Sequence, residues 1–133
     1  MEFGKVEEQA AEAYHNWTTR DLSTASGTQV VTGVGFQPKS ILFTSCQAGG
    51  AGGIYWTQGH ATETGFTMSM MNRRAGVTGD FIQSGTSVMV ILITAGNQQS
   101  ADLTSFDADG FTLTWGKTGT PTGTARFSFL CLR

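Results

Sequence analysis

Apolar and polar residues alternate along most of this chain, in short runs separated by turn residues. In 111–117 the apolar positions are Phe111, Leu113 and Trp115, and in 124–132 aromatic residues again occupy alternate positions. A period of two places the apolar residues on one face of a β-strand. Because a segment rich in Gly, Thr and Pro separates the two runs, we predict a β-hairpin whose aromatic faces form the main core.

Similar runs toward the N-terminus predict an all-β chain. They indicate nine strands, at 29–32, 40–45, 54–57, 66–70, 80–83, 87–94, 101–106, 111–117 and 124–132. Eight or nine short strands with turns between them are typical of an antiparallel β-sandwich or jelly roll. The last strand also carries Leu130 and Leu132 on the face opposite its aromatic residues, so we expect the end of that face to be covered as well.

The run Ser87–Thr94 differs from the others because it is apolar on both faces. Such a strand is either central in its sheet or covered by another subunit. We therefore predict that Val88, Val90 and Leu92 form an oligomer interface, in a homodimer or a homotrimer.

The first residues have a different composition from the rest of the chain. Residues 2–14 are rich in Ala and Glu, which favours a helix. An apolar stripe follows near-helical spacing, at Phe3, Val6, Ala10 and Tyr14. So short a helix needs a partner surface. We predict a helical arm over 1–16 and a sandwich domain over 17–133, and the arm is either a frayed terminus or a segment that binds another chain through its stripe.

Charge is sparse and unevenly distributed. Charged residues make up 14% of the chain, below the roughly 25% of an average soluble domain, which suits a surface covered by other protein. The formal net charge is −2, with −3 on residues 1–13 and therefore +1 on residues 14–133. No basic stripe favours nucleic acid, and no apolar run reaches the roughly 20 residues of a membrane-spanning helix. We therefore expect neither nucleic acid nor a membrane as a partner.

The two cysteines, Cys46 and Cys131, lack the spacing of a zinc site and are too few for a disulfide framework. They could pair with each other. We predict instead two free, buried thiols, because free Cys packs as a small apolar residue.

Two motifs resemble ligand-binding loops. Asp107-Ala-Asp109-Gly110 matches the start of a calcium loop, but Thr118 stands where a 12-residue loop needs Glu. Asp and Gly also favour a hairpin turn, which we predict here. The glycine-rich segment 47–53 has no following Lys and precedes a strand, so we predict a packed or flexible loop and no phosphate site.

Catalytic motifs are not recognisable in the sequence. A set could be drawn from His60, Glu63 and Ser69, but there is no nucleophile elbow. His15 and His60 lack the spacing of metal ligands. We therefore predict that the protein is not an enzyme, and we expect no metal and no cofactor.

Two further groups are candidate contacts in loops. Tyr55, Trp56 and His60 could form an aromatic platform for a sugar ring, or they could be core or interface residues. Arg73 and Arg74 are the only adjacent basic pair. They form either a solvated turn or a salt bridge to the acidic arm of a neighbouring subunit.

The sequence also resembles a known group of proteins. The segment Val31–Phe43, with Gly-Phe-Gln-Pro-Lys before an apolar strand, resembles an opening pattern, and Ser105–Trp115 followed by Gly119–Arg133 resembles the matching close. Together these segments look like small β-sandwich proteins of tailed bacteriophage virions, some of which are capsid decoration (cement) proteins and others tail or fibre modules. The resemblance covers about residues 30–133 and transfers no active site. A weaker similarity is to the H-type lectin domain, whose sugar-binding residues match no position here.

The resemblance implies a structural role in the virion. It implies a decoration protein that stabilises the phage head on the capsid surface after synthesis in the host cytoplasm. The expected partners are the major capsid protein and further copies of this chain. The alternative is a tail-fibre or lectin-like module that binds a host glycan.

Overall fold

The computed structural model describes residues 12–48, 54–63, 67–74, 81–94 and 96–133. In these residues the chain forms ten strands: β1 Ala13–Asp21, β2 Gly27–Thr32, β3 Ser40–Ala48, β4 Ile54–Thr62, β5 Thr67–Arg74, β6 Phe81–Ser84, β7 Ser87–Thr94, β8 Asn97–Asp107, β9 Gly110–Thr118 and β10 Thr124–Leu132. Among the residues described, no helix has the length and apolar character needed to span a membrane.

The strands form two antiparallel sheets. A six-stranded sheet has the order β1-β10-β3-β4-β5-β6, and a four-stranded sheet has the order β2-β9-β8-β7. The two sheets pack face to face around one buried core, as in other sandwiches. The predicted all-β sandwich is therefore confirmed, with a six-and-four division of strands in place of the eight strands of a jelly roll.

Aromatic side chains from both sheets fill the core. Phe111 of β9 packs edge-on against Phe43 of β3 and Phe129 of β10, with ring centroids 5.4 and 5.1 Å apart. Trp115 of β9 lies 5.9 Å from Phe127 of β10. The predicted aromatic core is confirmed, but β9 and β10 face each other across the sandwich and do not pair as a hairpin.

Strand β1 is the element that the hydrophobic pattern did not reveal. Ala13 and Tyr14, assigned above to the end of a helical arm, lie in β1 and pair with Leu132 and Cys131. The Tyr14 ring packs against the chain's own core, 6.3 Å from that of Phe129. The predicted helical position of Tyr14 is therefore wrong, because Tyr14 covers the core from an edge strand, while its role in binding a partner stays a prediction.

A buried polar group holds β1 to the other sheet. Arg20 is 8% exposed and Gln99 of β8 fully buried. The Arg20 Nε donates to Gln99 Oε1 at 3.0 Å, and an Arg20 terminal nitrogen donates to the Ala25 carbonyl at 2.9 Å. Gln99 Nε2 donates to the carbonyls of Leu22 and Thr24, both at 2.8 Å. Burial lowers the pKa of Arg20 below its usual value.

Strand β7 is covered on both faces by its own chain. Val88 and Val90 are 0% and 2% exposed, and Leu92 is half-buried. β7 lies against β3, β4 and β5 of the opposite sheet. The chain itself therefore buries Val88 and Val90, so the predicted oligomer interface does not include them, and for Leu92 it stays a prediction.

Both carboxylates of the Asp107–Gly110 turn serve the fold. Asp107 accepts hydrogen bonds from the hydroxyls of Ser105 and Thr112, each at 2.7 Å. The Asp109 carboxylate accepts hydrogen bonds from the backbone N–H groups of Gly33 and Gly35, at 3.0 and 2.7 Å. The predicted turn between β8 and β9 is confirmed, and it also holds the β2–β3 connection.

Gly110 is required at this turn because β9 approaches β2 closely. A Cβ atom at position 110 would lie 1.9 Å from the carbonyl oxygen of Val31. Any side chain here would push the two strands apart.

The two thiols are free and differ in environment. Cys131 is buried in the core, and its burial raises the pKa of the thiol to about 11. Cys46 is exposed. The prediction of free thiols holds for both residues, and the prediction of burial holds for Cys131 alone.

Candidate functional site: the outer face of the six-stranded sheet

The candidate site is the side of the six-stranded sheet that points away from the four-stranded sheet. Alternation along β1, β10, β3 and β4 turns every second side chain outward, and the register aligns these residues in rows. We call these sixteen positions the outer face: Ala13, His15, Trp17, Thr19, Ser40, Leu42, Thr44, Cys46, Trp56, Gln58, His60, Thr62, Arg126, Ser128, Leu130 and Leu132.

Large apolar side chains are concentrated on the outer face. Trp17 is 52% exposed, Leu42 39% and Leu132 43%, and the half-buried Leu130 pairs with Leu42. In the part of the chain that the structure describes, the one other large hydrophobic residue this exposed is Val30, on the opposite sheet. Apolar groups gathered on one face mark a contact surface more often than scattered ones do.

Arg126 is the cation of the outer face, and it lies over the Trp17 ring. Its guanidinium carbon is 4.3 Å from the ring centroid, close enough for a cation–π contact. Within the described residues the structure shows no hydrogen bond from the Arg126 guanidinium and no carboxylate paired with it. Stacking occupies the face of the guanidinium and does not use the N–H groups at its edge, which are the groups that bind carboxylates.

A shallow depression of about 270 Å³ adjoins this pair. Trp17 and Arg126 form one side of it, and Thr44, Cys46 and Ser128 line the rest. The Ser128 hydroxyl is directed at the Thr44 carbonyl, 3.5 Å away. The depression can therefore accept a flat or apolar group beside a positive charge.

No carboxylate occurs among the sixteen positions of the outer face. Asp21, however, lies on the same side of the sheet in the adjoining row, where it pairs with Thr124. Its side chain accepts hydrogen bonds from the Ser23 hydroxyl and backbone N–H at 2.6 and 2.8 Å, which lower the pKa of Asp21. The sixteen positions therefore carry apolar and uncharged polar groups around one positive charge, and a carboxylate lies in the next row.

The predicted sugar platform lies on strands. Tyr55, Trp56 and His60 all belong to β4, which continues to Thr62 where the sequence suggested a loop. Trp56 and His60 are half-buried members of the outer face. The Tyr55 side chain lies outside what the structure describes.

The adjacent arginines also lie on a strand and not in a loop. Arg73 and Arg74 end β5, where they pair with Tyr55 and Ile54 of β4. Their side chains lie outside the described part of the structure. The remaining arm residues Phe3, Val6 and Ala10 precede the described residues altogether.

The structure describes the side chains of two of the three residues that could form a catalytic set. His60 lies on the outer face and Glu63 follows β4, whereas Ser69 is paired with Gly59 and its side chain is not described. Across the described ranges, no three His, Cys, Asp or Glu side chains are grouped as metal ligands would be.

Sequence reasoning missed Trp17, Arg126 and Leu42 as members of one surface. The one signal was the pair Leu130 and Leu132 on the second face of β10. Strand register was needed to place Trp17 and Leu42 beside them, because these residues come from strands that are distant in sequence.

Comparison with known proteins adds no assignment. A scan against protein-family models and searches of curated proteins and of solved structures gave no match.

Proposed function

We propose that this protein is a structural component of a tailed-phage virion, a decoration protein of the head that acts through protein–protein contacts. The observation that carries the proposal is the outer face, where Trp17, Leu42 and Leu132 are exposed on one side of one sheet. The low charge of the chain and the sequence resemblance support the same function.

The outer face suits protein contact because it carries side chains that contribute strongly to binding and few charged groups that would lose their hydration. Trp and Arg are among the residues that most often dominate binding energy at interfaces, and Trp17 of the edge strand β1 is stacked with Arg126 of the neighbouring strand β10. No carboxylate among the sixteen positions has to be desolvated. Major capsid protein or a second copy of this chain is the partner in this proposal, which places the protein on the capsid surface.

Two measurements test the proposal. A stained gel of purified virions should show the protein in high copy number, whereas a fibre module is present in few copies. Co-sedimentation with capsids should then fall at least about tenfold for the triple variant Trp17→Ala, Leu42→Ser, Leu132→Ser. Val30→Ser is the matched control, because Val30 is 61% exposed on the opposite sheet. Absence from virions, or unchanged capsid binding by the triple variant, would rule the proposal out.

A glycan-binding module is the second candidate function. The observation in its favour is the depression beside Trp17, where an exposed indole adjoins the hydroxyls of Thr44 and Ser128. Aromatic rings stack on sugar faces, and hydroxyls bond sugar oxygens. A glycan array separates the candidates: binding that is lost in Trp17→Ala would favour the module over decoration.

A further inference from the structure

The outer face has a specific occupant that the chain itself supplies. We infer that residues 1–11 of a second copy of this chain dock on the outer face, so that neighbouring copies are linked segment to sheet. This inference rests on the proposed function only in treating the outer face as a surface for protein contact.

The chemistry of the segment complements that of the outer face. The face offers apolar groups around one cation, Arg126, without a carboxylate among its positions. The segment carries apolar residues and an excess of negative charge. Its apolar residues are Phe3, Val6 and Ala10, and its charged residues are Glu2, Glu7, Glu8 and Lys5. Opposite charge and matched apolar content favour this pairing over a basic or a purely polar partner.

The direction of the chain favours a neighbouring copy over the segment's own face. Ala13 pairs with Leu132 at the end of the sheet, and the Glu12 carbonyl accepts the Arg133 N–H at 2.9 Å. This bond continues the ladder one residue beyond the last strand pair. At Glu12 the described chain is therefore still aligned with the axis of β1, and toward the N-terminus this axis points away from Trp17 and Arg126 of the same copy.

The length of the segment is sufficient for the link. Eleven residues span up to about 36 Å when extended. The first and the last of four adjacent strands are about 14 Å apart. A segment leaving the end of one sheet can therefore cross the outer face of an adjacent copy. In that position a carboxylate of Glu7 or Glu8 meets the N–H groups of Arg126, and the apolar residues cover Trp17 and Leu42.

Charge reversal on the full-length chain tests the inference. Sedimentation velocity should show self-association of the wild type. Arg126→Glu alone, and Glu7→Lys with Glu8→Lys alone, should each weaken it at least about tenfold, because like charges then meet. Val30→Ser should leave it unchanged, and circular dichroism should show that every variant keeps its β-sheet signal.

A mixture of the two reversed variants distinguishes a neighbour from the segment's own chain. Mixing Arg126→Glu protein with Glu7→Lys/Glu8→Lys protein pairs each segment with a complementary face, so association should return. If association returns only when all three substitutions are in one chain, the contact is within a copy and the inference is wrong. A wild type that stays monomeric at about 100 μM, well above the micromolar range of ordinary specific contacts, also overturns it.

The outcome is independent of the capsid experiment. The sedimentation assay contains no capsid, so association can be found for a protein that is absent from virions. Conversely, capsid binding that depends on Trp17 while the free chain stays monomeric would retain the proposed function and reject the segment as the occupant.

Discussion

In the described part of this sandwich, two arginine–tryptophan pairs lie on opposite sides of the six-stranded sheet. Inside, Arg20 lies 5.2 Å from the Trp115 ring centroid; outside, Arg126 lies 4.3 Å from that of Trp17. The inner guanidinium donates to Gln99 and to a backbone carbonyl, and the Trp115 Nε1 donates to Gln29 at 2.9 Å. For the outer pair, the described part of the chain provides no such hydrogen bonds.

This difference in hydrogen bonding distinguishes the inner pair, which belongs to the framework of the fold, from the outer pair, which belongs to a contact surface. A buried arginine is tolerated when its donors are paired within the fold, and Arg20 meets this condition. Arg126 has the same ring contact, but among the described residues no acceptor is paired with its guanidinium. The inner pair should therefore determine stability, and the outer pair should determine binding.

Removing the two indoles tests this separation with the largest expected effect. Trp115 is 1% exposed in the aromatic core, so Trp115→Ala should lower the free energy of unfolding by about 3–5 kcal/mol. Trp17→Ala should lower it by less than about 1 kcal/mol, as is usual for surface positions. Urea denaturation of both variants measures the two values. Similar losses would show that Trp17 belongs to the framework and would end its candidacy as an anchor.

Removing the two guanidinium groups has a smaller effect in the same direction. Arg20→Ala leaves the buried Gln99 Oε1 and the Ala25 carbonyl without their donor, which should cost about 2–3 kcal/mol. Arg126→Ala should change the free energy of unfolding by no more than about 0.5 kcal/mol. A stability loss for Arg126→Ala as large as that for Arg20→Ala would mean that the outer pair has structural partners of its own.

The sequence predicts the framework better than the outer face, for a physical reason. Nine strands and the buried Trp115 follow from an alternation of apolar residues that is local. β1 escapes that pattern because its inward positions include Thr18 and Arg20, and Arg20 becomes an acceptable core residue only through Gln99, which is 79 positions away.

The outer face depends on non-local pairing even more strongly. Trp17 pairs with Ser128 and Leu42 pairs with Leu130, so only the strand register brings these two side chains to adjoining rows of one face. Leu130 and Leu132, both on β10, were the part of this surface that local alternation could reveal. The segment Ser87–Thr94 shows the converse error, because apolar residues on both faces predicted an interface where the chain covers itself.

The turn that holds the β2–β3 connection gives a pH-dependent test of the framework. Hydrogen bonds from Ser105 and then Thr112 lower the pKa of Asp107. Because folding lowers the pKa of Asp107, the ionised carboxylate stabilises the fold at pH values above about 3.9, the ordinary pKa of Asp. This stabilisation is lost as the pH falls through the lowered pKa of the folded state. Asp107→Asn should therefore be less stable than wild type near neutral pH, by less than about 1 kcal/mol.

The difference between the Asp107→Asn variant and wild type should disappear in acid. Below its folded-state pKa, Asp107 is protonated in wild type and resembles the amide. Urea denaturation at a series of pH values measures the difference directly. A difference that persisted or grew as the pH fell would contradict the assignment of the lowered pKa to these hydrogen bonds.

The two cysteines allow the interior and the outer face to be compared without any substitution, so this test has the smallest effect on the fold. Cys131 faces the core and has a pKa raised to about 11 by burial, whereas Cys46 lines the depression beside Arg126. Because Cys46 is exposed, a thiol reagent should modify it in the native protein at neutral pH. The thiolate is the reactive form, so Cys131, which is buried and has a raised pKa, should react only after denaturation. Mass spectrometry of peptides from native and denatured samples locates the label.

A bulky label on Cys46 would then occupy the depression, so it should block partner binding without changing the midpoint of unfolding. Labelling of Cys131 at the rate of Cys46 would instead show that the core opens locally, and the sharp division between a closed interior and an open outer face would fail.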